Sequence, residues 1–326
     1  MIARTARKLA ARCGLAHTVL RVMTQRPVIL LYHGVMPRQG GRAEGDHKHV
    51  AESLFEEQLD FLQSLYEIVP LHEMIKAMLR GEDCRGKLVI TFDDGYLNNA
   101  ECAAPILARR RLSAAVFLAT GFIGEERWAW TDRLERAVEQ AQSGCARVDF
   151  MEGIALSAMD EVRRTQLLAR LKDRLKRLDW RESDRQVAKV EHDLGVAPVA
   201  PYGKYRFMSW DDARQLHSMG LEIGAHTVNH AILSRVTPEE ARREIQDSRA
   251  RIQAELGFCS DTFCYPNGRE QDIGEIAKGI CHESFAAALS AMHGAVHIRD
   301  RYDIRRVGVG NESTIPRLAA SLAVVQ

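Results

Sequence analysis

The chain has 326 residues, 46% of them hydrophobic, and its 45 basic and 44 acidic side chains almost cancel. This length fits one large globular domain or two smaller ones, and a net charge of +1 provides no field that would attract nucleic acid. No apolar stretch approaches the roughly 20 residues that a membrane-spanning helix requires. Seven cysteines, an odd number without a Cys-x-x-Cys pair, are typical of buried thiols in a reducing compartment.

Residues 1–26 form a basic segment without acidic side chains, in which short apolar clusters alternate with charges. Arg12, His17 and Arg21 interrupt the apolar core that a secretory signal would need. We predict a helix that packs on the domain, and the alternative is an amphipathic helix that contacts an anionic membrane surface. The expected location is therefore the cytoplasm, with peripheral association at the inner face of the membrane as the alternative. The sequence does not indicate the oligomeric state.

Eight short β-rich runs alternate with helical stretches from residue 27 onwards. They occupy residues 27–32, 66–70, 87–92, 114–119, 221–224, 262–265, 284–289 and 304–309. Alternation of this kind favours a parallel sheet or barrel with helices around it.

Two of the intervening helices carry clear signals. Phe55, Leu59 and Leu62 fall on one face of a helix after the first run. A later helix begins at Thr237, with a capping box and a proline in its first turn, and ends at Gly257.

The pattern changes between about residues 127 and 207, where charged side chains dominate and leucines recur at helical spacing. We predict a helical insertion in one β/α unit. It would form a wall or lid over a site, and a merely solvated helical excursion is the alternative.

One strand-like run delivers two adjacent acids, Asp93 and Asp94, and Gly95 follows them; a later run leads to His226 and His230. Imidazole and carboxylate are good ligands of zinc, and a catalytic zinc site uses three protein ligands and keeps one position open. Asp94, His226 and His230 would supply those three. A turn at Gly95 would bring Asp93 to the same side, where it would take a proton from water.

Ordinary structural roles compete with this interpretation. Adjacent aspartates before a glycine commonly form turns or helix caps, and histidines four residues apart commonly line one side of a helix. The position of the polar residues favours the functional interpretation: His33 and Asn267 also follow predicted strands. In a β/α barrel the carboxyl ends of the strands meet on one face, where catalytic groups collect.

Three phrases resemble motifs of the polysaccharide deacetylases, the NodB-homology group of carbohydrate esterases. They are Thr91-Phe92-Asp93-Asp94-Gly95-Tyr96, His226-Thr227-Val228-Asn229-His230 and Tyr265-Pro266-Asn267-Gly268. The similarity extends from about residue 27 to 310. It implies a distorted β/α barrel of about seven strands over residues 27–326, with the helical insertion at about 127–207.

The resemblance also implies a mechanism. A divalent metal, Zn²⁺ in the first place with Co²⁺ or Ni²⁺ as alternatives, would be held by Asp94, His226 and His230. Asp93 would be the general base, and the backbone amide of Tyr96 would bind the oxyanion. The reaction would be hydrolysis of an N-acetyl group on an amino sugar.

Two departures from the family pattern concern catalytic residues. Many members have an arginine before the proline of the third motif, where it orients the base, and Cys264 occupies that place here. Arg306 on the last predicted strand would substitute for it; Arg305 is a weaker candidate, and a surface arginine is the alternative interpretation.

The second departure is the absence of the Leu-x-His phrase that often supplies the general acid. In one branch of the family a Tyr-His pair near the amino end takes that role, and this chain has Tyr32-His33. We therefore predict His33 as the acid, with His293 and His297 as rivals that no strand precedes.

The function predicted from these observations is metal-dependent removal of N-acetyl groups from an amino sugar in a polysaccharide or glycoconjugate precursor. Two alternatives remain open. One is a metallohydrolase that cleaves another non-peptide C–N bond on the same scaffold, because a fold and a metal do not determine the substrate. The other is a glycan-binding protein without catalytic activity, against which the pair Asp93 and Asp94 argues.

Overall fold

The structure is a computed structural model and describes residues 26–37, 48–141, 160–294, 296 and 300–324. Of the predicted amino-terminal segment, only Arg26 lies within these ranges. The interpretation of that segment as a helix therefore remains a prediction.

Parallel strands form the centre of the molecule. The strands are β1 (Val28–Tyr32), β2 (Gly34–Met36), β3 (His49–Ala51), β4 (Glu67–Ile68), β5 (Lys87–Phe92), β6 (Ala115–Leu118), β7 (Glu222–Ala225), β8 (Thr262–Cys264), β9 (Ala287–Leu289) and β10 (Val307–Gly308). Eight of them make one sheet in the order β10-β1-β5-β6-β7-β8-β9, with β4 also paired to β5, and every pair in it is parallel.

The two ends of this sheet approach each other. Ile304 forms a parallel bridge with Leu289 of β9, and three residues later Val307 of β10 pairs with Leu30 of β1. The segment from Ile304 to Val307 thus connects β9 with β1. The predicted fold class, a distorted (β/α) barrel of about seven strands, is confirmed.

Both faces of the sheet are buried, as is expected where helices cover a parallel sheet. Side chains alternate between the faces: Leu30 and Ile90 belong to the larger apolar cluster, whereas Ile29 and Val89 belong to a second cluster on the opposite face. Because both faces are buried, the strands have continuous apolar sequences rather than alternating ones. These continuous runs made the strands recognisable in the sequence.

Helices surround the sheet. They are α1 (Glu52–Leu65), α2 (Leu71–Leu79), α3 (Ala104–Arg110), α4 (Trp130–Gln140), α5 (Glu161–Leu175), α6 (Trp180–Asp193), α7 (Trp210–Ser218), α8 (Pro238–Leu256), α9 (Glu270–Ile273), α10 (Glu275–Ser284) and α11 (Ile315–Val324). Asn99–Ala103 form a π-helical turn, and Gly203–Tyr205 and Leu233–Arg235 form 3₁₀ turns. Within the described ranges, every helix is too short or too polar to cross a lipid bilayer.

Both helices singled out in the sequence are present. Phe55, Leu59 and Leu62 are fully buried on one face of α1. The side chain of Thr237 accepts a hydrogen bond from the backbone N–H of Glu240 at the start of α8. Gly257 ends that helix with a φ of 79°, a left-handed conformation that glycine adopts without a steric penalty.

The described part of the insertion consists of α4, α5 and α6. These helices share an apolar cluster of their own, to which Leu134, Leu171 and Val187 contribute. Buried ion pairs reinforce it: the carboxylate of Glu191 lies 2.6 Å from the guanidinium of Arg133 and 3.1 Å from that of Arg136. The helical prediction is therefore correct for these residues.

A second, small sheet was not predicted. β2 and β3 pair in parallel over three residues, and β2 follows β1 after the single residue His33. A Cβ atom at Gly34 would lie 2.3 Å from Oδ1 of Asn98 and 2.5 Å from the ring of His49, so a larger residue at this position would require these side chains to move. β2 and β3 lack the continuous apolar run that marks the strands of the large sheet, and so the sequence pattern did not predict them.

Candidate active site

The carboxyl ends of neighbouring strands bring the polar residues together. Asp93 and Asp94 follow β5, His226 follows β7, and Tyr265 follows β8, and these strands lie side by side around the sheet with β6 between β5 and β7. The predicted convergence on one face of the barrel is what the structure has.

Asp94, His226 and His230 present three potential metal ligands to one point. Oδ1 of Asp94 lies 3.4 Å from Nε2 of His226 and 3.2 Å from Nε2 of His230, and one ligand atom from each of the three lies within 4.8 Å of the others. Oδ1 of Asp94 is buried and accepts no hydrogen bond from the described residues. A buried acceptor that faces two imidazole nitrogens and lacks a donor fits a divalent cation, and one carboxylate with two histidines suits zinc.

The ring of His226 is held in the orientation that a metal ligand needs. Its Nδ1 lies 2.8 Å from the backbone carbonyl oxygen of Cys264 and donates to it. In the neutral ring, which is the form that binds a metal, Nε2 then carries the lone pair and faces Asp94. A hydrogen bond from the other ring nitrogen to a carbonyl is the usual way in which a ligating histidine is oriented.

Glu244 braces the loop that carries both histidines. This buried side chain on α8 accepts hydrogen bonds from the backbone N–H groups of Val228 (2.9 Å) and Asn229 (2.8 Å) and from the side-chain amide of Asn229 (2.6 Å). Sequence reasoning missed this residue. Its signal was a carboxylate on the apolar face of α8, between the buried Ala241 and Ser248.

The backbone at the site is in an unusual conformation. Among the described residues, five that are not glycine have positive φ, and four of them belong to the three motifs: Asp94 (74°), Thr227 (65°), His230 (52°) and Asn267 (61°). Each costs of the order of 1–2 kcal/mol relative to a right-handed conformation. Backbone strain is thus concentrated in the three motifs, two of which contain the candidate metal ligands.

The predicted turn after the acid pair is present. Gly95 has a φ of 90°, and a Cβ atom there would lie 2.8 Å from the side chain of Leu118. Because of this turn, Asp93 and Asp94 both face the same cleft although they are adjacent in the chain.

Arg306 contacts Asp93 directly. Its Nη1 donates to Oδ1 of Asp93 at 2.8 Å and its Nη2 donates to Oδ2 at 2.7 Å, and the arginine side chain is fully buried. Nε donates to the backbone carbonyl of Ser290 at 2.9 Å, which holds the guanidinium plane. Arg305 is exposed. Of the two predicted candidates, only Arg306 lies beside the base.

The thiol of Cys264 completes this buried group. Nη2 of Arg306 lies 3.0 Å from its sulfur, and that sulfur lies 3.4 Å from Oδ1 of Asp93. The position that holds an arginine in many polysaccharide deacetylases is thus adjacent to the guanidinium that comes from the last strand. Burial alone would raise the pKa of Asp93, but the charge and hydrogen bonds of Arg306 hold it below its ordinary value.

Tyr96 has two different polar groups at the site. Its hydroxyl donates to Oδ2 of Asp132 at 2.7 Å, and Nζ of Lys48 lies 2.6 Å from the other carboxylate oxygen of Asp132. In the described part of the chain, no acceptor is hydrogen-bonded to the backbone N–H of Tyr96. This N–H is the donor that the sequence analysis assigned to the oxyanion.

His33 lines the same cleft as Asp93 and Asp94 and is half-buried. Burial lowers its pKa to about 4, although the charges of the two aspartates oppose the shift. An imidazole that is not perturbed has a pKa of about 6.5, which would suit a general acid near neutral pH, and the structure departs from that value. Near neutral pH this ring is uncharged in the free protein, because desolvation outweighs the attraction of the carboxylates.

The rival histidines differ from His33 in their surroundings. His293 is exposed and is not among the described residues that line the cleft. His297 lies outside the described residues.

The insertion forms one wall of the cleft. Trp130 and Thr131 from α4, with Lys172 and Lys176 from and just after α5, line it opposite the motif residues. A wall or lid was one of the two roles that the sequence indicated for the insertion. The individual side chains that line the cleft were not predicted, because they belong to no motif.

Comparisons with known proteins bear on this arrangement. The sequence model of the family described as polysaccharide deacetylase matches residues 180–278, a range that contains His226, His230 and the third motif. The resemblance to the polysaccharide deacetylases is confirmed. A sequence comparison with curated proteins gives no match.

Solved structures share the fold. The Streptococcus pyogenes deacetylase PplD, in complex with acetate, is 14% identical with a TM-score of 0.59, over 91% of this chain and 98% of that one. IcaB from Ammonifex degensii is 17% identical with a TM-score of 0.58 over 92% and 97% of the two chains. A de-N-acetylase from Aggregatibacter actinomycetemcomitans is 15% identical with a TM-score of 0.58 over 91% and 99%. At these identities the similarity is one of fold.

Proposed function

We propose that the protein is a metal-dependent hydrolase that removes N-acetyl groups from an amino sugar in a polysaccharide or glycoconjugate precursor. The observation that carries the proposal is the placement of a buried carboxylate, Asp93, oriented by Arg306, beside the set Asp94, His226 and His230. A base next to three ligands is an arrangement for hydrolysis, whereas binding a glycan requires no such base.

Asp94, His226 and His230 would hold the metal, for which Zn²⁺ is the first candidate and Co²⁺ and Ni²⁺ are alternatives. A divalent ion bound there supplies a Lewis acid that makes water a nucleophile near neutral pH and polarises the acetyl carbonyl. Asp93 accepts the proton that the water loses. Arg306 keeps this carboxylate ionised and fixes its plane, because both of its oxygens are held by the guanidinium.

Two further groups would act on the amide itself. The backbone N–H of Tyr96 donates a hydrogen bond to the oxygen of the tetrahedral intermediate. His33 delivers the proton to the departing nitrogen. Its ring is neutral in the free protein, so His33 would first have to take up a proton, either from solvent or the one that Asp93 accepts from the water; negative charge that develops on the acetyl group would favour this uptake by offsetting the effect of burial.

Several observations support a glycan as the substrate. The family model is that of polysaccharide deacetylases, and two of the similar structures are described as a deacetylase with acetate and as a de-N-acetylase. The cleft is lined by Trp130 and Tyr265 together with polar side chains, a mixture that suits a sugar ring. We also propose the cytoplasm, with peripheral membrane contact through residues 1–26, as the location; cell fractionation tests this.

The test is acetate release, measured by mass spectrometry, from a panel of N-acetylated oligosaccharides and precursors. Protein stripped with a chelator is supplied with zinc, cobalt or nickel, and Asp94→Ala treated in the same way is the control. The proposal expects metal-dependent acetate release that the control lacks. An N-formyl sugar and a cyclic amide are assayed beside the panel; turnover of one of these without acetate release from the panel would favour the other C–N hydrolase, and tight glycan binding without any turnover would favour a glycan-binding protein.

A further inference from the structure

Three lysines line the cleft that contains Asp93 and Asp94: Lys48, Lys172 and Lys176. None of them is part of a deacetylase motif, and none has a role in the reaction described above. Their concentration on one side of a cleft is unusual for a chain whose net charge is only +1.

Two of the three lysines have carboxylate partners. Nζ of Lys48 lies 2.6 Å from Oδ1 of Asp132, and Nζ of Lys172 lies 3.1 Å from Oε2 of Glu135. The other oxygen of Glu135 lies 3.0 Å from Nζ of Lys204, so that this carboxylate is shared by two lysines. The charges of Asp132 and Glu135 are therefore already balanced by lysines.

Lys176 has no such partner. It lies one helical turn after Lys172 and is half-buried, and no carboxylate of the described residues is within 4.0 Å of its Nζ. Asp272 acts on it only from a longer distance, and that carboxylate already accepts a hydrogen bond from Asn267 at 2.7 Å.

The surroundings of Lys176 disfavour its charge. Burial and, to a smaller extent, the charges of Arg269 and Lys172 together lower its pKa to about 8. A partly desolvated cation next to two other cations is costly unless an anion joins it. Arg269 follows the third motif directly; it is exposed and is not among the described residues that line the cleft.

We propose that Lys176, with Lys172, binds an anionic substituent of the acetylated glycan, a phosphate or carboxylate group attached near the sugar that is deacetylated. This inference rests on the proposed function and names its substrate class. The alternative is that Lys176 packs its aliphatic stem on the wall and extends its ammonium group into water, as lysines commonly do.

The experiment compares three substrates that carry the same N-acetylated sugar: a neutral oligosaccharide, an oligosaccharide that also contains a uronate, and a diphosphate-linked sugar. Acetate release is measured with wild-type protein and with Lys176→Gln and Lys176→Arg. Lys189→Gln is the matched control, because Lys189 is an exposed lysine on the neighbouring helix α6 and does not line the cleft.

The inference expects Lys176→Gln to raise KM about tenfold or more for one of the two anionic substrates, with kcat nearly unchanged, since hydrogen bonds to charged groups contribute strongly to binding. KM for the neutral substrate should not change, Lys176→Arg should restore most of the binding, and Lys189→Gln should behave as wild type. The anionic substrate whose KM rises identifies the substituent as a diphosphate or a carboxylate. Equal KM values for all three substrates, or a loss in Lys176→Gln that is the same for all three, would overturn the inference.

A binding measurement separates this inference from the proposed function. Chelator-treated protein is titrated calorimetrically with inorganic phosphate and with glucuronate. Saturable binding of one of them that Lys176→Gln weakens supports the anion site even if no substrate releases acetate, in which case the proposed function alone fails. Acetate release without any Lys176-dependent anion binding would leave the proposed function intact and refute the anion site.

Discussion

Arg306 and Asp93 are 213 residues apart in the chain and form two parallel hydrogen bonds of 2.8 and 2.7 Å in the buried centre of the site. The third motif has Cys264 where many polysaccharide deacetylases have an arginine, and the guanidinium comes from the last strand instead. A guanidinium therefore lies beside Asp93 in this chain although it comes from a different position in the sequence. The structure also explains why Arg305 cannot take this role, since neighbouring residues of an extended chain face opposite sides.

Replacement of Arg306 by methionine is expected to move the acid limb of the activity profile to higher pH. Without the guanidinium, the largest influence that opposes burial is lost and the pKa of the Asp93 carboxyl rises, so this carboxylate becomes protonated at a higher pH than in the wild type. The pH dependence of kcat/KM for acetate release measures this. Arg305→Met is the matched control and should leave the profile unchanged; an unchanged profile in Arg306→Met would remove Arg306 from the site.

The same variant should lose stability in a pH-dependent way. An unpaired buried carboxylate costs about 3–5 kcal/mol at neutral pH. The pKa of Asp93 is depressed in the wild type, so its stabilising effect is present above the ordinary pKa of aspartate and lost as the pH falls. In Arg306→Met the pKa is raised, and protonation relieves the cost. Urea unfolding should therefore show a larger difference between the two proteins at pH 7.5 than at pH 5.

Asp93→Asn separates catalysis from metal binding. It is expected to retain the metal and to lose turnover by roughly 100-fold or more, the usual contribution of a general base. Acetate release and elemental analysis on the same preparation test both parts. Near wild-type turnover would assign the base elsewhere, and loss of the metal would mean that the roles of Asp93 and Asp94 are exchanged.

The metal ligands are tested by alanine variants. Asp94→Ala, His226→Ala and His230→Ala should each lose most of a metal content that is about one divalent ion per chain in the wild type, because a catalytic site of this kind has only three protein ligands. Elemental analysis of the purified variants measures it. Full occupancy in all three would contradict the assignment.

Glu244→Gln should weaken metal binding although Glu244 touches no metal. The amide of glutamine has one acceptor oxygen, so it cannot hold both the backbone N–H groups of Val228 and Asn229 and the side chain of Asn229. Partners that orient ligands typically contribute 10–100-fold in affinity. Competition with a zinc-binding dye measures the loss, and Glu239→Gln on the exposed side of α8 should show none.

His33→Gln should bind metal normally and lose most of its deacetylation of a sugar amide. An amine anion leaves poorly without a proton, whereas an activated ester needs little protonation, so the loss on an ester substrate should be much smaller. Equal losses on the two substrates would indicate structural damage. The same selective pattern in His293→Gln or His297→Gln would assign the acid to the carboxyl-terminal region.

The strands of the large sheet could be predicted from the sequence, because strands that are buried on both faces have continuous apolar sequences. All eight predicted runs contain a strand, the helix at Phe55 buries the predicted face, and the helix that begins at Thr237 has the predicted ends. The small sheet of β2 and β3 was missed because its pairing depends on contacts such as that between Gly34 and Asn98, which no local pattern encodes.

Only the part of the candidate site that follows strands directly could be predicted from the sequence. Asp93, Asp94 and the histidines directly follow strands, so their convergence could be read from the order of elements. Glu244 and Lys176 face the site from helices whose orientation depends on packing between distant segments. The pKa of His33 was missed as well, since burial is a property of the assembled barrel and not of the phrase Tyr32-His33.

The left-handed backbone of Asp94, Thr227, His230 and Asn267 has a consequence for attempts to make this protein more robust. Glycine adopts such a conformation freely, so selection for higher melting temperature would favour substitutions at the very positions that aim the ligands. Thr227→Gly is the informative case, because Thr227 contributes no ligand atom. The gain in heat resistance would come with a looser histidine loop, and a thermostable variant found in this way would bind metal less well than its parent.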